Sequence, residues 1–222
     1  MKNTPDLGVT LRFLAELRQN NYKAWFDGHR PDYDSARETF YAFIDELIDE
    51  FREPDHLEGL SAKECIARIY RDIRFSKDKS PYKTNLAALV APGGWKGARN
   101  GYYISIEPGG QSIVAGGLHE PSPEQLNRFR QSIDRDATAF NELTRRKDFV
   151  DVFGTVTGER LKTAPKSYDQ AHPEIALLQL KQVVVVHRFS DQEVMADDFE
   201  HQVIYACRAM RPFLDYLDKI TD

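Results

Sequence analysis

The chain has 222 residues, 41% of them apolar and 29% charged, with a formal net charge of −5. That length buries roughly 70% of the surface an unfolded chain exposes, so the core needs no disulfide or metal staple. The composition excludes a disordered chain, apolar runs such as Val183 to Val186 fall far short of the ~18 residues of a bilayer span, and the mildly acidic total does not advertise a polyanion-binding surface.

Met1 to Gly8 is polar and lacks the pattern of a secretory signal, which makes the cytoplasm the expected compartment, and with such short apolar runs no membrane partner is expected. Thr10 is placed to cap a short helix through Arg18, with Leu11, Leu14 and Leu17 on one side. Tyr22 to His29, holding Trp25 and Phe26, reads as a helical turn on the core. From Asp32 to Arg52, apolar Ala36, Phe40, Phe43, Ile44, Leu47, Ile48 and Phe51 recur every three or four residues, the pattern of an amphipathic helix that Pro54 closes. Ile66, Ile69 and Tyr70 fit either a short strand or a helix end.

Leu86 to Ala91 reads as a strand, Pro92-Gly93-Gly94 as a turn, and Gly101 to Glu107 as a strand alternating Tyr102, Ile104 and Ile106 with Tyr103, Ser105 and Glu107. Pro108-Gly109-Gly110 returns the chain into a third strand, Ser112 to Gly116, and Gly116-Gly117-Leu118 reads as a further turn. Helices follow over Glu124 to Ile133, opened by Ser122-Pro123, and over Asp136 to Arg145 and Phe149 to Phe153. Beyond a basic loop, 158–173, come a helix over Glu174 to Leu180, a β-branched strand over Val183 to His187 and a capping box at Ser190 and Glu193. The last helix, Asp198 to Arg211, is expected to kink at Pro212 before Phe213 to Ile220. With no repeat or linker, the expectation is a single α+β domain over 1–222, an antiparallel meander packed with helices from both the N- and C-terminal parts.

Chemistry concentrates in one place. Between Arg68 and Arg99 stand eight bases and two acids, a local +6 in an acidic protein. Within RIYRDIRFSKDKSPYK the residues Arg68, Arg71 and Arg74 recur every three positions, a spacing that gathers guanidiniums on one side of a helix and lets an irregular loop aim them at a point. Guanidinium forks match phosphate and carboxylate oxygens, Lys79 and Lys83 add point charges, Tyr82 adds a neutral donor, and Asp72 completes the candidate ligand-binding set. The competing reading is a solvated run in which Asp72 and Asp78 neutralise the bases; interleaved Ile69, Tyr70, Ile73, Phe75, Pro81 and Tyr82 argue for an anchored backbone instead. His119 and Glu107 are the candidates for proton transfer, and Lys162, Lys166, Tyr168 and Asp169 are placed to fold over a pocket. Phosphate-loop, nucleophile-elbow and zinc patterns are missing, no cofactor is implied, and Cys65 and Cys207 read as buried thiols.

Arg68, Arg71-Asp72, Arg74-Phe75, Asp78-Lys79 and Tyr82 resemble the signature of a conserved bacterial family, also found within longer fungal proteins, that is catalogued as a domain of unknown function. Trp25-Phe26, GYYISIEPGG at 101–110, Gly-Gly-Leu at 116–118 and PKSYDQAHP at 165–173 are similar too. The resemblance implies a shared site or a shared ion-pair lattice at the matched positions, and no activity, cofactor or partner. Three functions stand open. The first is binding of a small anionic ligand, phosphate- or carboxylate-bearing, with or without catalysis. The second is nucleic-acid binding, with Tyr102, Tyr103 or Trp95 stacking on bases. The third is a scaffold whose Arg/Asp set is structural. The sequence assigns no oligomeric state.

Overall fold

A computed structural model describes residues 5–97 and 100–221; Arg99, counted above with the basic stretch, and Met1–Thr4 of the polar start lie outside the described residues. The elements run α1 (Leu7–Gln19), α2 (Lys23–Gly28), α3 (Arg30–Phe51), α4 (Ala62–Cys65), β1 (Leu86–Val90), a 3₁₀ turn (Gly94–Lys96), β2 (Tyr102–Ile106), β3 (Ser112–Leu118), α5 (Pro123–Arg135), α6 (Thr138–Thr144), α7 (Lys147–Phe153), α8 (Ile175–Leu178), β4 (Val183–Phe189), α9 (Asp191–Val194) and α10 (Phe199–Thr221). The strands form one antiparallel sheet in the order β1-β2-β3-β4, and the fold is α+β. Among the described residues no helix is long and apolar enough to cross a membrane.

The chain divides into two compact units. One holds the described residues up to 97 with Tyr102–Val114 and Arg188–Ile204; the other holds residues 100–101, Ala115–His187 and 205–221. In the first unit α1 packs on α3, whose seven expected apolar positions are all buried. The register Leu86↔Ile106, Ala88↔Ile104, Val90↔Tyr102 places one apolar row on one face of the sheet, where the Tyr102 ring meets Phe51 at 4.9 Å. Ala87↔Ser105 and Leu89↔Tyr103 share the opposite face, which bears on the site below. Both sheet edges are covered: Ile66 bridges Ala88 beside β1, and Thr157 bridges Val184 beside β4.

Two corrections concern α1 and the β3 glycines. Asp6, not Thr10, caps α1, accepting the Gly8 N–H at 2.9 Å. Thr10 lies on the helix's buried face, and there its hydroxyl donates to the Ala36 carbonyl at 3.0 Å, as a hydroxyl shut away from water must. Gly116-Gly117-Leu118 continues β3 rather than turning. A Cβ on Gly117 would sit 2.2 Å from the Val183 carbonyl oxygen, and its φ of +112° suits only glycine, so close approach of β4 explains the residue.

In the second unit α5 starts at a full capping box on Ser122 and Gln125. Its core is aromatic: Phe140 lies 5.5 Å from Phe129 and 6.2 Å from Phe213, and Phe149 lies 5.8 Å from Phe213. The last helix is one element, α10, which runs through Pro212. A proline inside a helix costs about 3 kcal/mol, but Phe213, Leu214 and Leu217 beyond it are buried, at about 1.5–3 kcal/mol each, and only a continuing helix keeps them on the Met210 face.

Candidate functional site

The basic segment leaves α4 as an irregular arm. Ala67 N–H donates to the Ala87 carbonyl, Lys83 N–H to Ile69 and Arg71 N–H to Pro81, with Tyr70 bridging Tyr82, so the two limbs run antiparallel and 72–80 closes the tip. Extended backbone repeats its side-chain direction every second residue, so the odd spacing that gathers arginines on a helix separates them here. Arg68 lines one hollow and Arg71 another, while Arg74 lines neither and is exposed at the tip. The expected meeting of three guanidiniums does not occur.

Most of the motif's charge is committed within the arm. Arg71 pairs with Asp78, which also accepts the Ser80 hydroxyl and, at 2.9 Å, the Ser80 N–H. Those Ser80 bonds first, and Arg71 after them, hold the Asp78 carboxyl well below the usual carboxylate range. Arg74 forks onto Asp72 at 2.6 and 2.9 Å, and Lys79 Nζ donates to the Ile73 carbonyl at 2.9 Å. Anchoring rests on Ile69 and Tyr82, both buried, whereas Phe75 is 95% exposed. The Tyr82 ring stacks on Phe26 at 4.0 Å and its backbone is clamped by both ends of the Asn21 amide, so it lines neither hollow.

The first hollow, of about 390 Å³, lies on the sheet face of Ala87. Its floor is small, Ala67 and Ala87; Arg71, Asp72, Lys83 and Asn85 supply polar walls; Trp95 and Tyr103 supply aromatic ones. The 3₁₀ turn presents Trp95 because Gly94, with φ +55°, lies where a Cβ would be 2.5 Å from the Glu64 carbonyl oxygen, locking the turn against α4. Trp95 stays 46% exposed and meets Tyr103 at 6.3 Å with planes 80° apart.

Arg71 and Asp72 are each neutralised in the arm. Lys83 is half-buried and makes no side-chain hydrogen bond or ion pair among the described residues. Desolvation, with the Arg68 charge behind it, pushes the Lys83 pKa down. Asn85, which lines the hollow, donates through Nδ2 to Ser105 Oγ at 2.7 Å, and its Oδ1 accepts no hydrogen bond among the described residues. The arrangement offers an anion one uncompensated ammonium beside donors, an acceptor and two aromatic walls.

The second hollow, of about 290 Å³, combines Arg68 and Tyr70 with Arg30, Tyr33, Arg37 and Tyr41 of α3. Arg30 and Arg37 lie over the Tyr33 ring and share Asp34 at 3.3 and 3.8 Å. Arg68 makes no ion pair among the described residues but is exposed, so water already solvates it. The helical spacing of Arg30, Tyr33, Arg37 and Tyr41 was visible in the sequence and overlooked. Asn85 carries no local signal and becomes recognisable only through its place beside Lys83.

Of the other candidates, Glu107 orients an arginine, but that arginine is Arg18, at 2.8 Å, and Thr84 also donates to it at 3.3 Å. His119 is exposed at the end of β3, with no side-chain hydrogen bond among the described residues. His119, Lys162, Lys166, Tyr168 and Asp169 belong to the second unit, and the first hollow to the first. Tyr102, one of the stacking candidates, is buried with its hydroxyl on Asp55 at 2.9 Å. Cys65 and Cys207 are both buried and outside any disulfide, and burial, followed by Glu64 and Asp45, pushes the Cys65 thiol up to about 12. A nucleophilic role for Cys65 would need the opposite shift.

A family model described as "Conserved hypothetical protein (DUF2461)" matches residues 9–216. No curated protein matches the chain significantly, and neither does any solved structure.

Proposed function

The chain belongs to this conserved hypothetical protein family, DUF2461, whose description names no activity, so we propose a function from the geometry alone: the Lys83 hollow binds a small anionic ligand through phosphate or carboxylate oxygens. The observation that carries this reading is the half-buried Lys83, which has no ion-pair partner among the described residues. A charge taken partly out of water and left unpaired is a cost to the fold, and an incoming anion removes it. The Asn85 amide and Tyr103 hydroxyl give the ligand directional contacts, and the Arg71–Asp78 and Arg74–Asp72 pairs stiffen the wall it meets. The arm's motif therefore serves mainly as framework, and Lys83, just past it, as the binding charge.

Thermal shift at constant ionic strength with inorganic phosphate, ribose 5-phosphate and a dicarboxylate tests the reading. At a hundredfold excess over Kd a ligand stabilises by about 2.7 kcal/mol, a rise in Tm of several degrees for a chain of this size. Lys83→Met is expected to lose that rise. No rise with any of the three, or an equal rise in Lys83→Met, sinks the proposal.

A further inference from the structure

Granting the anion reading above, we infer that the ligand of the Lys83 hollow also carries a flat aromatic ring, and that its class is a nucleoside monophosphate seated against Trp95 and Tyr103. Trp95 is the key residue. A large indole left 46% exposed is unusual for a residue so rich in burial energy, and here a tightly packed glycine turn holds it at the rim of a hollow that already contains a cation. The two rings stand at 80°, 6.3 Å apart, and make a corner. A planar ring entering such a corner stacks on one wall and meets the other edge-on, the two arrangements that aromatic quadrupoles favour. Ala67 and Ala87 leave the floor clear for its thickness.

Size and charge narrow the class. About 390 Å³ lies at the small end of ligand cavities, a size that suits one nucleotide. With Arg71 and Asp72 each neutralised inside the arm, Lys83 is the one uncompensated charge of the wall among the described residues, which suits one phosphate group rather than a polyphosphate chain. Asn85 Oδ1, left free by the bond to Ser105, is an acceptor suited to an exocyclic amino group.

The test compares binding of AMP, CMP, ribose 5-phosphate and adenosine to the full-length chain by calorimetry, with fluorescence of the Trp25→Phe protein reporting Trp95 alone. AMP or CMP is expected to bind at least about tenfold tighter than ribose 5-phosphate, the scale of one base stacked on an aromatic side chain, and to quench Trp95. That margin is expected to vanish in Trp95→Ala and largely survive in Trp95→Phe, while ribose 5-phosphate binds both as it binds the native protein. Equal binding of the nucleotides and ribose 5-phosphate overturns the ring inference and leaves the anion reading standing. Adenosine binding as tightly as AMP overturns the assignment of the phosphate to Lys83. Binding of none of the four removes both. Because Trp95 is half exposed, its substitutions leave the core intact, and an unchanged melting temperature confirms that each variant is folded.

Discussion

Lys83 sits where its charge is a liability to the folded protein, and that makes its contribution readable in the absence of ligand. Burial, reinforced by Arg68, lowers its pKa below the ordinary lysine value of 10.5. Between the lowered folded value and the unfolded one, the unfolded chain holds more protons, so stability rises with pH across that window. Below that window the ammonium form and its penalty are both fully present. Lys83→Met, which keeps the stem and removes the charge, is therefore expected to melt higher than the native protein at pH 7, with the gap closing as pH climbs toward 10.5. Melting curves from pH 7 to about 10.5, the lysine range, check this. A Lys83→Met protein that melts lower at pH 7, or a gap that widens with pH, would mean that the ammonium has a partner and is part of the framework. The exposed pairs Arg74–Asp72 and Arg71–Asp78 carry no comparable signal, since surface ion pairs stabilise little.

The arm and the 3₁₀ turn decide together what the hollow contains, and each was legible to a different degree. The meander could be read because alternation in GYYISIE and the two Pro-Gly-Gly turns are local signals, and α3 because seven apolar positions keep one period over five turns. The arginine site could not be read the same way. A spacing of three gathers side chains on a helix and opposes them on extended backbone, and nothing between Ile66 and Tyr82 states the period until Ile66 bridges Ala88 and Tyr70 bridges Tyr82. Trp95 and Tyr103 were visible as aromatics near a basic stretch, yet their meeting depends on Gly94. Gly94→Ala is accordingly expected to lose about 1–3 kcal/mol, the range for an αL side chain under strain, and to displace Trp95 because the new methyl would press on the Glu64 carbonyl. A lower melting temperature with altered Trp95 fluorescence, measured in the Trp25→Phe background, is the expected result. An unchanged spectrum would show that the glycine turn does not position the indole.

Over the whole chain, the distribution of charge separates a small-anion site from a nucleic-acid track. The family match, residues 9–216, takes in both compact units, and across them the formal charge is negative while the stretch from Arg68 to Arg99 carries +6. A polyanion gains affinity by releasing counterions at every phosphate it places on a base, with log K falling by about 0.7 per contact for single strands as log salt rises. Such a gain needs bases in a continuous line. Here Arg68 and Lys83 line different hollows, Arg71 and Arg74 are paired within the arm, and the acidic remainder repels a polyanion at low salt. A ten-residue single-stranded oligonucleotide is therefore expected to bind no tighter than a mononucleotide, with a salt slope no steeper than about −2. Titration between 50 and 300 mM salt measures it. A slope near −4 or beyond would require about six simultaneous phosphate contacts, more than the Lys83 hollow supplies, and would place the protein's function along a track of bases instead of in a single cavity.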